Sequence, residues 1–330
     1  MMNKFTIGAA ALLMLTSCYE DYVMDYEVQG VGFANQTDVR SLIVGEGMSF
    51  STGVALGGTI SNDEDRIVSY ETDYSLVSQE TLDAMKAHRF SYIQTLTASI
   101  SGLEALPAAQ YSLHPEGNEA GKVIIRKGSH LGTIDVTVDS AAFLSDVSRT
   151  IPRFVIPIRI TDGGTASLIE GKTSTVIGVR YENMLFGNYY HGGYTVVTDA
   201  AGNEVERIYY YTAVPQEDTK VWTLTTVEPF ALTANAVGNE MNSTAAQMKL
   251  TLGEDDAITV SPVEGATYSV EPDGESMFLR SKLLQDRKIA LKYKYEKDGL
   301  VYHATDTLTF RNRIRDGVNE WQDENPEHYE

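Results

Sequence analysis

The sequence predicts an all-β protein made of two consecutive β-domains, and three observations lead to this prediction. From residue 28 to residue 182, short apolar runs alternate with turn residues, which is typical of a β-sandwich rather than of alternating strands and helices. Residues 134–138 and 289–295 place apolar side chains at every second position, so that one face of each strand would be buried. A mature chain of about 310 residues is long enough for two such cores.

The first domain, residues 28–182, is expected to be a β-sandwich that contains one helix. Ser78 is the predicted N-cap of this helix, which would end near Arg89. Leu82 and Met85 are spaced so that they share one face of the helix, and this face is expected to be buried.

One strand of this domain, over residues 154–160, contains a proline at position 157. Proline has no N–H to donate to a neighbouring strand. The residue therefore predicts either an edge strand or a bulge.

The second domain, residues 183–318, is expected to be a meander of longer antiparallel strands. The predicted strands cover residues 189–198, 205–213, 220–226, 247–252, 267–270, 277–279, 288–296 and 300–310. Strands that follow one another with short turns predict an up-and-down barrel or a second sandwich. The acidic tail, residues 319–330, is expected to be frayed.

The chain begins with a predicted lipoprotein signal peptide over residues 1–17. Lys4 provides a positive start, and the apolar stretch that follows is too short to span a bilayer. Residues 15–18 (Leu-Thr-Ser-Cys) resemble the bacterial lipobox, in which the cysteine is lipidated after cleavage. Cys18 is the only cysteine of the chain, so lipidation is favoured over an ordinary signal peptide with an incidental cysteine.

Lipid chains on Cys18 would hold the protein at a membrane, since two or more chains bind far more firmly than one. No thiol would then remain for a disulfide, so the exported body would depend on hydrophobic cores. The acidic segment 18–27 is either a flexible tether or a signal for export to the cell surface, because it resembles that signal in Bacteroidetes lipoproteins. We therefore expect an outer-membrane location, with the outer face favoured over the periplasmic face.

The formal net charge of the chain is −20 at pH 7. Such an acidic protein repels the phosphates of nucleic acids and the head groups of anionic lipids. We therefore expect no nucleic-acid partner, and we attribute membrane attachment to the lipid alone.

No constellation of residues in the sequence predicts catalysis, a cofactor or a metal ion. The six histidines are scattered without the spacing of metal ligands, and no nucleophile motif is present. Residues 171–173 resemble the end of a phosphate loop, but Ala166 stands where that motif requires glycine. The acidic runs 63–65 and 254–256 lie in apparent turns, where solvated charge is more common than a carboxylate pair or a calcium site. The sequence therefore predicts a protein that is not an enzyme.

Aromatic residues are the better candidates for ligand binding, because sugars stack their apolar faces on flat rings. The candidates are Tyr189, Tyr190, Tyr194, Tyr210, Trp222 and Trp321. In the run 209–211 at least one tyrosine must face outward, since successive side chains of a strand alternate. Packing in the core is the competing interpretation for the strand residues. Trp321 would either dock the tail or form an exposed platform.

Several motifs occur in a characteristic order along the chain. They are Val31-Gly32-Phe33-Ala34, Leu56-Gly57-Gly58, Leu106-Pro107-Ala108, Tyr111-Ser112-Leu113, Ile125-Arg126-Lys127-Gly128, residues 156–161 and residues 181–193. In this order they resemble the two-domain Bacteroidetes lipoproteins that pair a DUF1735 (BT_3987-like) domain with a BT_3044-like (DUF4361) domain. The resemblance implies an immunoglobulin-like first domain, and a place beside TonB-dependent glycan importers of Sus-like polysaccharide-utilisation systems. It transfers no binding residues.

The sequence thus favours a non-catalytic surface lipoprotein that binds an oligosaccharide or polysaccharide. A structural or adhesive protein that binds another protein is the first alternative, with pairing at strand edges as its physical basis. A glycosidase, or an accessory protein of one, is the second alternative.

Overall fold

The structure is a computed structural model that describes residues 29–210, 219–241, 246–281 and 283–322. The predicted signal peptide 1–17, the lipidation site Cys18 and the acidic tether 18–27 lie outside the described residues. Within the described ranges, no helix is long and apolar enough to cross a membrane.

The first half of the chain is a β-sandwich of two sheets. Its strands are β1 (Gly30–Phe33), β2 (Thr37–Ile43), β3 (Ser49–Gly57), β4 (Arg66–Thr72), β5 (Glu104–Ala105), β6 (Tyr111–Pro115), β7 (Lys122–Ile125), β8 (Leu131–Val138), β9 (Phe154–Asp162), β10 (Ser167–Leu168) and β11 (Ser174–Glu182). One sheet has the order β10-β1-β3-β8-β6, and the other has the order β2-β11-β9-β4-β7, with β5 also paired to β9. Apolar side chains from both sheets form one core, which includes Val54 and Ile134 from the first sheet and Val68 and Ile156 from the second.

Strand β8 shows why these residues form a sandwich layer. Ile134, Val136 and Val138 are buried, whereas Asp135 and Thr137, which alternate with them, are exposed. Full burial of each apolar side chain contributes about 1.5–3 kcal/mol. The predicted alternation is confirmed.

In the part of the chain that the structure describes, three α-helices accompany the sheets: α1 (Gln79–Lys86), α2 (Ser91–Thr97) and α3 (Ser140–Leu144). Single 3₁₀ turns occur at Tyr74–Leu76, Ala108–Gln110, Val147–Thr150, Glu254–Asp256 and Leu284–Asp286. The hydroxyl of Ser78 caps α1 by accepting a hydrogen bond from the N–H of Thr81 at 3.2 Å, and Leu82 and Met85 are fully buried, as predicted. Helices α2 and α3 were not predicted.

Strand β9, which contains Pro157, lies inside its sheet between β11 and β4, so the expectation of an edge strand is wrong. The carbonyl of Pro157 accepts a hydrogen bond from the N–H of Asp73, just beyond the end of β4. In a strand the N and O of one residue point to the same side, so the proline nitrogen also faces this end. The missing N–H therefore removes no ladder bond. A register shift does occur in the pairing of β9 with β4, between Ser69 and Tyr70.

The second half of the chain is a closed antiparallel barrel. Its strands are β12 (Gly187–Thr198), β13 (Glu204–Tyr210), β14 (Val221–Glu228), β15 (Ala231–Ala234), β16 (Ala236–Val237), β17 (Glu240–Met241), β18 (Met248–Leu252), β19 (Ala257–Pro262), β20 (Glu271–Pro272), β21 (Ser276–Leu279), β22 (Lys288–Lys297), β23 (Leu300–Arg315) and β24 (Val318–Glu320). The order β12-β14-β15-β18-β19-β21-β22-β23 returns to β12 through the pairing of β12 with β23. Of the two predicted architectures, the barrel is therefore the correct one. Barrels of about eight strands are filled by side chains.

Two details of the predicted meander are wrong. Residues 267–270 form no strand, and the prediction lacked β15 and β19. Strand β15 reads Ala-Leu-Thr-Ala, and alanine has little preference for strands. Its place in the sheet is set by pairing with β14 and β18, which single-strand patterns do not reveal.

A buried ionic cluster joins the sandwich to the barrel, and we call it the junction clamp (Glu46, Arg287 and Arg313). The carboxylate of Glu46 accepts hydrogen bonds from Arg287 at 2.9 Å and from Arg313 at 2.8 and 3.1 Å. The two arginine side chains are only 2% exposed, and that of Glu46 is 8% exposed. The clamp therefore fixes how the two halves meet.

Candidate functional site

An open cleft of about 970 Å³ lies beside the clamp, where the sandwich meets the barrel, and we call it the junction cleft. One wall carries Phe90 and Tyr92, at the start of α2. A second wall carries Ile314 and Val318, from the β23–β24 hairpin, and both of these side chains are 62% exposed. The cleft falls within the volumes of about 300–1,000 Å³ that are usual for small-molecule sites.

The aromatic wall has a fixed geometry. The rings of Phe90 and Tyr92 are stacked with centroids 5.9 Å apart and planes at 18°, and the Arg89 guanidinium lies 4.6 Å from the centre of the Phe90 ring. The hydroxyl of Tyr92 donates to Asp38 at 3.0 Å, and burial together with the Asp38 charge raises the pKa of Tyr92. Gly317, with φ of +80°, packs so closely that an added Cβ would lie 2.6 Å from a carbon of the Tyr92 ring. The hairpin can therefore approach this wall only with glycine at that position.

The floor of the cleft is polar. Arg180 lies 2.6 Å from Glu182, whose other carboxylate oxygen accepts a short hydrogen bond from Thr226. Asn188 accepts a hydrogen bond from the hydroxyl of Thr223 at 2.9 Å and donates to Asn312 at 3.2 Å. Hydrogen-bond donors and acceptors thus both line this part of the cleft.

Asp316 lies at the edge of the cleft and links it to the sandwich. Its carboxylate accepts hydrogen bonds from the backbone N–H of Ser41, at 3.0 Å, and from its hydroxyl, at 2.8 Å. Burial raises the pKa of Asp316, although these hydrogen bonds oppose the shift. Asp316 and Glu182 are thus both engaged in contacts within the protein. Among the described residues, no three His, Cys, Asp or Glu side chains are grouped to hold a metal ion.

A second cleft, of about 860 Å³, also lies between the halves, with Phe230 and Met184 in its lining. The acidic turn 254–256 borders it, and Asp256 forms an ion pair with Arg280 at 2.6 Å. Arg280 therefore neutralises one of the three negative charges of this turn, so the turn is not simply solvated charge. Phe230 is 54% exposed.

The structure buries two of the aromatic residues that the sequence suggested. Tyr189 is 1% exposed, with its ring edge-on to Phe310 and its hydroxyl donating to the carbonyl of Leu185. Trp222 is fully buried and stacks on His191, with centroids 4.5 Å apart. Neither ring presents a face to solvent, so packing in the barrel core accounts for both.

Trp222 belongs to a polar group inside the barrel that we call the barrel cluster (His191, Trp222, Tyr293 and Asp306). Tyr293 donates to Asp306 at 2.6 Å. The Nε2 atom of His191 lies 3.0 Å from the other oxygen of Asp306, but the two atoms are not aligned for a hydrogen bond. Within the described residues, Nδ1 of His191 and Nε1 of Trp222 also have no hydrogen-bond partner.

The other predicted tyrosines divide between the two faces of the barrel wall. Tyr190 and Tyr194 point outward from β12 and are partly exposed. Tyr210 is directed inward, where its hydroxyl lies 2.9 Å from that of Thr195 and burial raises its pKa to about 12. Trp321, beyond β24, is 56% exposed. The structure thus does not bring the six predicted aromatic residues together.

The residues of the junction cleft were not singled out by the sequence. Phe90 and Tyr92 follow the predicted helix, and Asn188 precedes the tyrosine pair of β12, yet no motif connects them. They meet because the two halves are clamped together, and only the tertiary structure shows this contact.

Comparisons with known proteins show a shared fold. No protein-family model and no curated protein matches the chain. A structural-genomics protein of unknown function from Bacteroides ovatus is 19% identical, with a TM-score of 0.61 over 91% of this chain and 99% of that one. This likeness covers both halves, so it extends to the sandwich followed by the barrel.

Two weaker structural likenesses have TM-scores below 0.5 and carry no further weight. A multidomain protein including DUF1735 from Bacteroides ovatus is 13% identical, with a TM-score of 0.44 over 88% of this chain and 99% of that one. An auxiliary nutrient binding protein from Bacteroides thetaiotaomicron is 16% identical, with a TM-score of 0.42 over 87% of this chain and 96% of that one.

Proposed function

We propose that the protein is a non-catalytic glycan-binding lipoprotein and that the junction cleft holds the glycan. The observation that carries this proposal is that apolar side chains from α2 and from the β23–β24 hairpin line one open cleft together with polar side chains. Sugar rings have the same division, with apolar C–H faces and hydroxyls at the ring edge.

The proposed fit assigns a role to each surface of the cleft. The Phe90–Tyr92 wall and the Ile314–Val318 wall receive the C–H faces of sugar rings. Arg180, Glu182 and Asn188 exchange hydrogen bonds with the hydroxyls. Because the cleft is open along its length, it suits a chain of several sugar units better than a single enclosed monosaccharide.

The proposal includes attachment through Cys18 to the outer membrane, with the body facing the cell exterior, beside a TonB-dependent importer. Support comes from the lipobox-like residues 15–18 and the acidic segment 18–27. Assignment of the halves to DUF1735 and DUF4361 belongs to the same proposal, and it rests on the ordered motifs of the chain.

The lipid anchor is tested by mass spectrometry of the mature N-terminus. We expect cleavage before Cys18 and a mass increase from a diacylglycerol and further acyl groups. Cys18→Ala should release the protein from the membrane fraction. An unmodified Cys18 in the purified native protein would refute the anchor without affecting the cleft.

Glycan binding is tested with the folded mature protein on a broad panel of oligosaccharides, followed by calorimetry with the best ligand. Phe90→Ala and Asn188→Ala should each weaken binding by about tenfold or more, which corresponds to about 1.4 kcal/mol. Phe230→Ala is the matched control, since it removes an exposed phenylalanine (54%, against 38% for Phe90) from the second cleft.

Two results would overturn the proposal. One is the absence of any glycan ligand, and the other is a ligand whose affinity is unchanged by both cleft variants. Loss of binding in Phe230→Ala alone would move the site to the second cleft. Release of reducing sugar by the wild type would replace binding with catalysis.

A further inference from the structure

The outer face of the barrel carries a regular surface pattern across β12, β23 and β22. A central row of small side chains runs Gly192, Thr307, Ala290, with each residue paired to the next across the strands. The flanking rows are Tyr190, Thr309, Lys288 on one side and Tyr194, Thr305, Lys292 on the other. We call these nine residues the barrel face.

The rows differ in height on two of the three strands. Residues two apart on a strand are separated by about 6.6–6.8 Å, and neighbouring strands lie about 4.7–4.9 Å apart. On β12 and β22 the central row is low, because Gly192 lies between two tyrosines and Ala290 between two lysines, whereas on β23 all three rows carry threonine. Gly192 is buried.

Aromatic and apolar side chains border the barrel face. The rings of Tyr194 and Tyr209 are 6.2 Å apart, and Tyr209 is 70% exposed. At the lysine end, β21 continues the rows with Met277 and Leu279, which are 41% and 47% exposed. Met277 and Leu279 are neighbours on one face of β21, and adjacent exposed apolar side chains are a feature of binding surfaces.

The charge of this face is opposite to that of the whole protein. Lys288 and Lys292 are exposed and form no ion pair with a described residue, and Arg311 contacts the Tyr190 ring at 5.7 Å without a described carboxylate partner. Elsewhere on β22, by contrast, Lys294 is paired with Glu271 and Lys297 with Glu240. On a chain of net charge −20, cations without a described countercharge beside tyrosine rings form a locally positive surface, which favours an anionic ligand.

We infer that the barrel face is a second binding surface and that its ligand is an anionic polysaccharide that carries carboxylate groups. The tyrosines receive sugar rings, and the three threonines of β23 form hydrogen bonds with sugar hydroxyls. Lys288, Lys292 and Arg311 pair with the carboxylates. A nucleic acid fits less well, because a duplex carries one negative charge per about 1.7 Å and would require a denser set of cations than this face provides. This surface is separate from the junction cleft, so either site can exist without the other.

The test measures binding of the mature protein to polygalacturonate by affinity electrophoresis and calorimetry, with dextran as the uncharged comparison. Lys288→Gln/Lys292→Gln and Tyr194→Ala should each weaken binding to polygalacturonate by about tenfold. Raising the salt from about 0.05 to 0.5 M should weaken binding of the wild type, and it should affect the double variant less. Phe90→Ala, in the junction cleft, should leave polygalacturonate binding unchanged.

The matched control is Lys127→Gln/Lys172→Gln, which removes two exposed lysines from the sandwich and changes the net charge equally. It should alter the affinity by no more than about twofold. Equal losses in the two double variants would reduce the effect to net charge and overturn the inference. Binding to dextran as strong as binding to polygalacturonate would also overturn the inference. So would binding to duplex DNA without binding to polygalacturonate.

Discussion

The junction clamp and the barrel cluster both bury ionisable side chains, but they satisfy them to different degrees. In the clamp, Glu46 accepts three hydrogen bonds from two arginines. In the barrel cluster, Asp306 has one well-aligned bond, from Tyr293, while His191 faces it without alignment. Buried charge therefore has two outcomes in one chain.

The difference teaches that pairing, and not burial alone, decides what a buried charge does. Burial opposes ionisation of Glu46, yet hydrogen bonds and charge from Arg313 and Arg287 outweigh it and lower its pKa. In the barrel, burial and the charge of Asp306 raise the pKa of Tyr293 well above its ordinary value, so this hydroxyl stays a donor. The clamp holds opposite charges together. In the cluster, polar atoms of His191, Trp222 and Asp306 have no hydrogen-bond partner among the described residues, which is rare for buried groups in folded proteins.

The largest expected effect comes from breaking the clamp with Glu46→Gln. Both buried guanidinium groups would lose the carboxylate that they share, although Arg313 would keep its ion pair with Glu320. We therefore expect a loss of about 3–5 kcal/mol in the free energy of unfolding. Urea unfolding measures this loss. Glu119→Gln, which removes an exposed carboxylate from its pair with Lys122, should cost less than about 1 kcal/mol. Similar losses in the two variants would contradict the importance of burial.

A smaller effect is expected from Asp306→Asn in the barrel cluster. The asparagine amide keeps an acceptor for the Tyr293 hydroxyl, and Asp306 has no well-aligned hydrogen bond to His191 that could be lost. We therefore expect the free energy of unfolding to fall by about 1–3 kcal/mol. Asp298→Asn, in the exposed turn between β22 and β23, makes the same change and should stay within about 0.5 kcal/mol of the wild type. A cost for Asp306→Asn above that of Glu46→Gln would reverse the comparison.

The pH dependence of the clamp is the third test. Because the pKa of Glu46 is lowered in the folded state, its stabilising contribution is complete above the ordinary value of 4.5 and is lost as pH falls through the lower folded value. The stability difference between wild type and Glu46→Gln should therefore shrink in acid. Unfolding free energies of both proteins across pH 7 to about 3 measure it. A difference that stays constant over this range would show that Glu46 does not act through its charge.

Much of the fold followed from the sequence because periodicity is a local property. The alternation in β8 and β22 gave the buried faces, and Ser78 with Leu82 and Met85 gave helix α1. Helix α2 was missed because its N-cap residue is Phe90, whose side chain cannot accept a capping hydrogen bond. The interior position of Pro157 depends on where a neighbouring strand ends, and this is a tertiary fact.

The candidate site was far less accessible from sequence. Aromatic composition pointed to Tyr189 and Trp222, but strand alternation could not say which side of the barrel wall was the core. Tyr190 and Tyr194 do face outward on that wall. The junction cleft joins Phe90 to Ile314 across more than half the chain, and nothing in either segment indicates the other.

The closure of the barrel by β12 and β23 has a consequence for the order of events during biogenesis. Glu46 and Arg313 are 267 residues apart in the sequence. Strand β12 pairs with β23, so this edge of β12 stays unpaired until β23 has been synthesised. Contacts so distant along the chain form slowly, whereas the strands of the sandwich are all synthesised earlier. Until β23 docks, β12 and β22 each present an unpaired edge that could pair with another chain. The last long strand therefore protects the protein from aggregation at the moment it completes the fold.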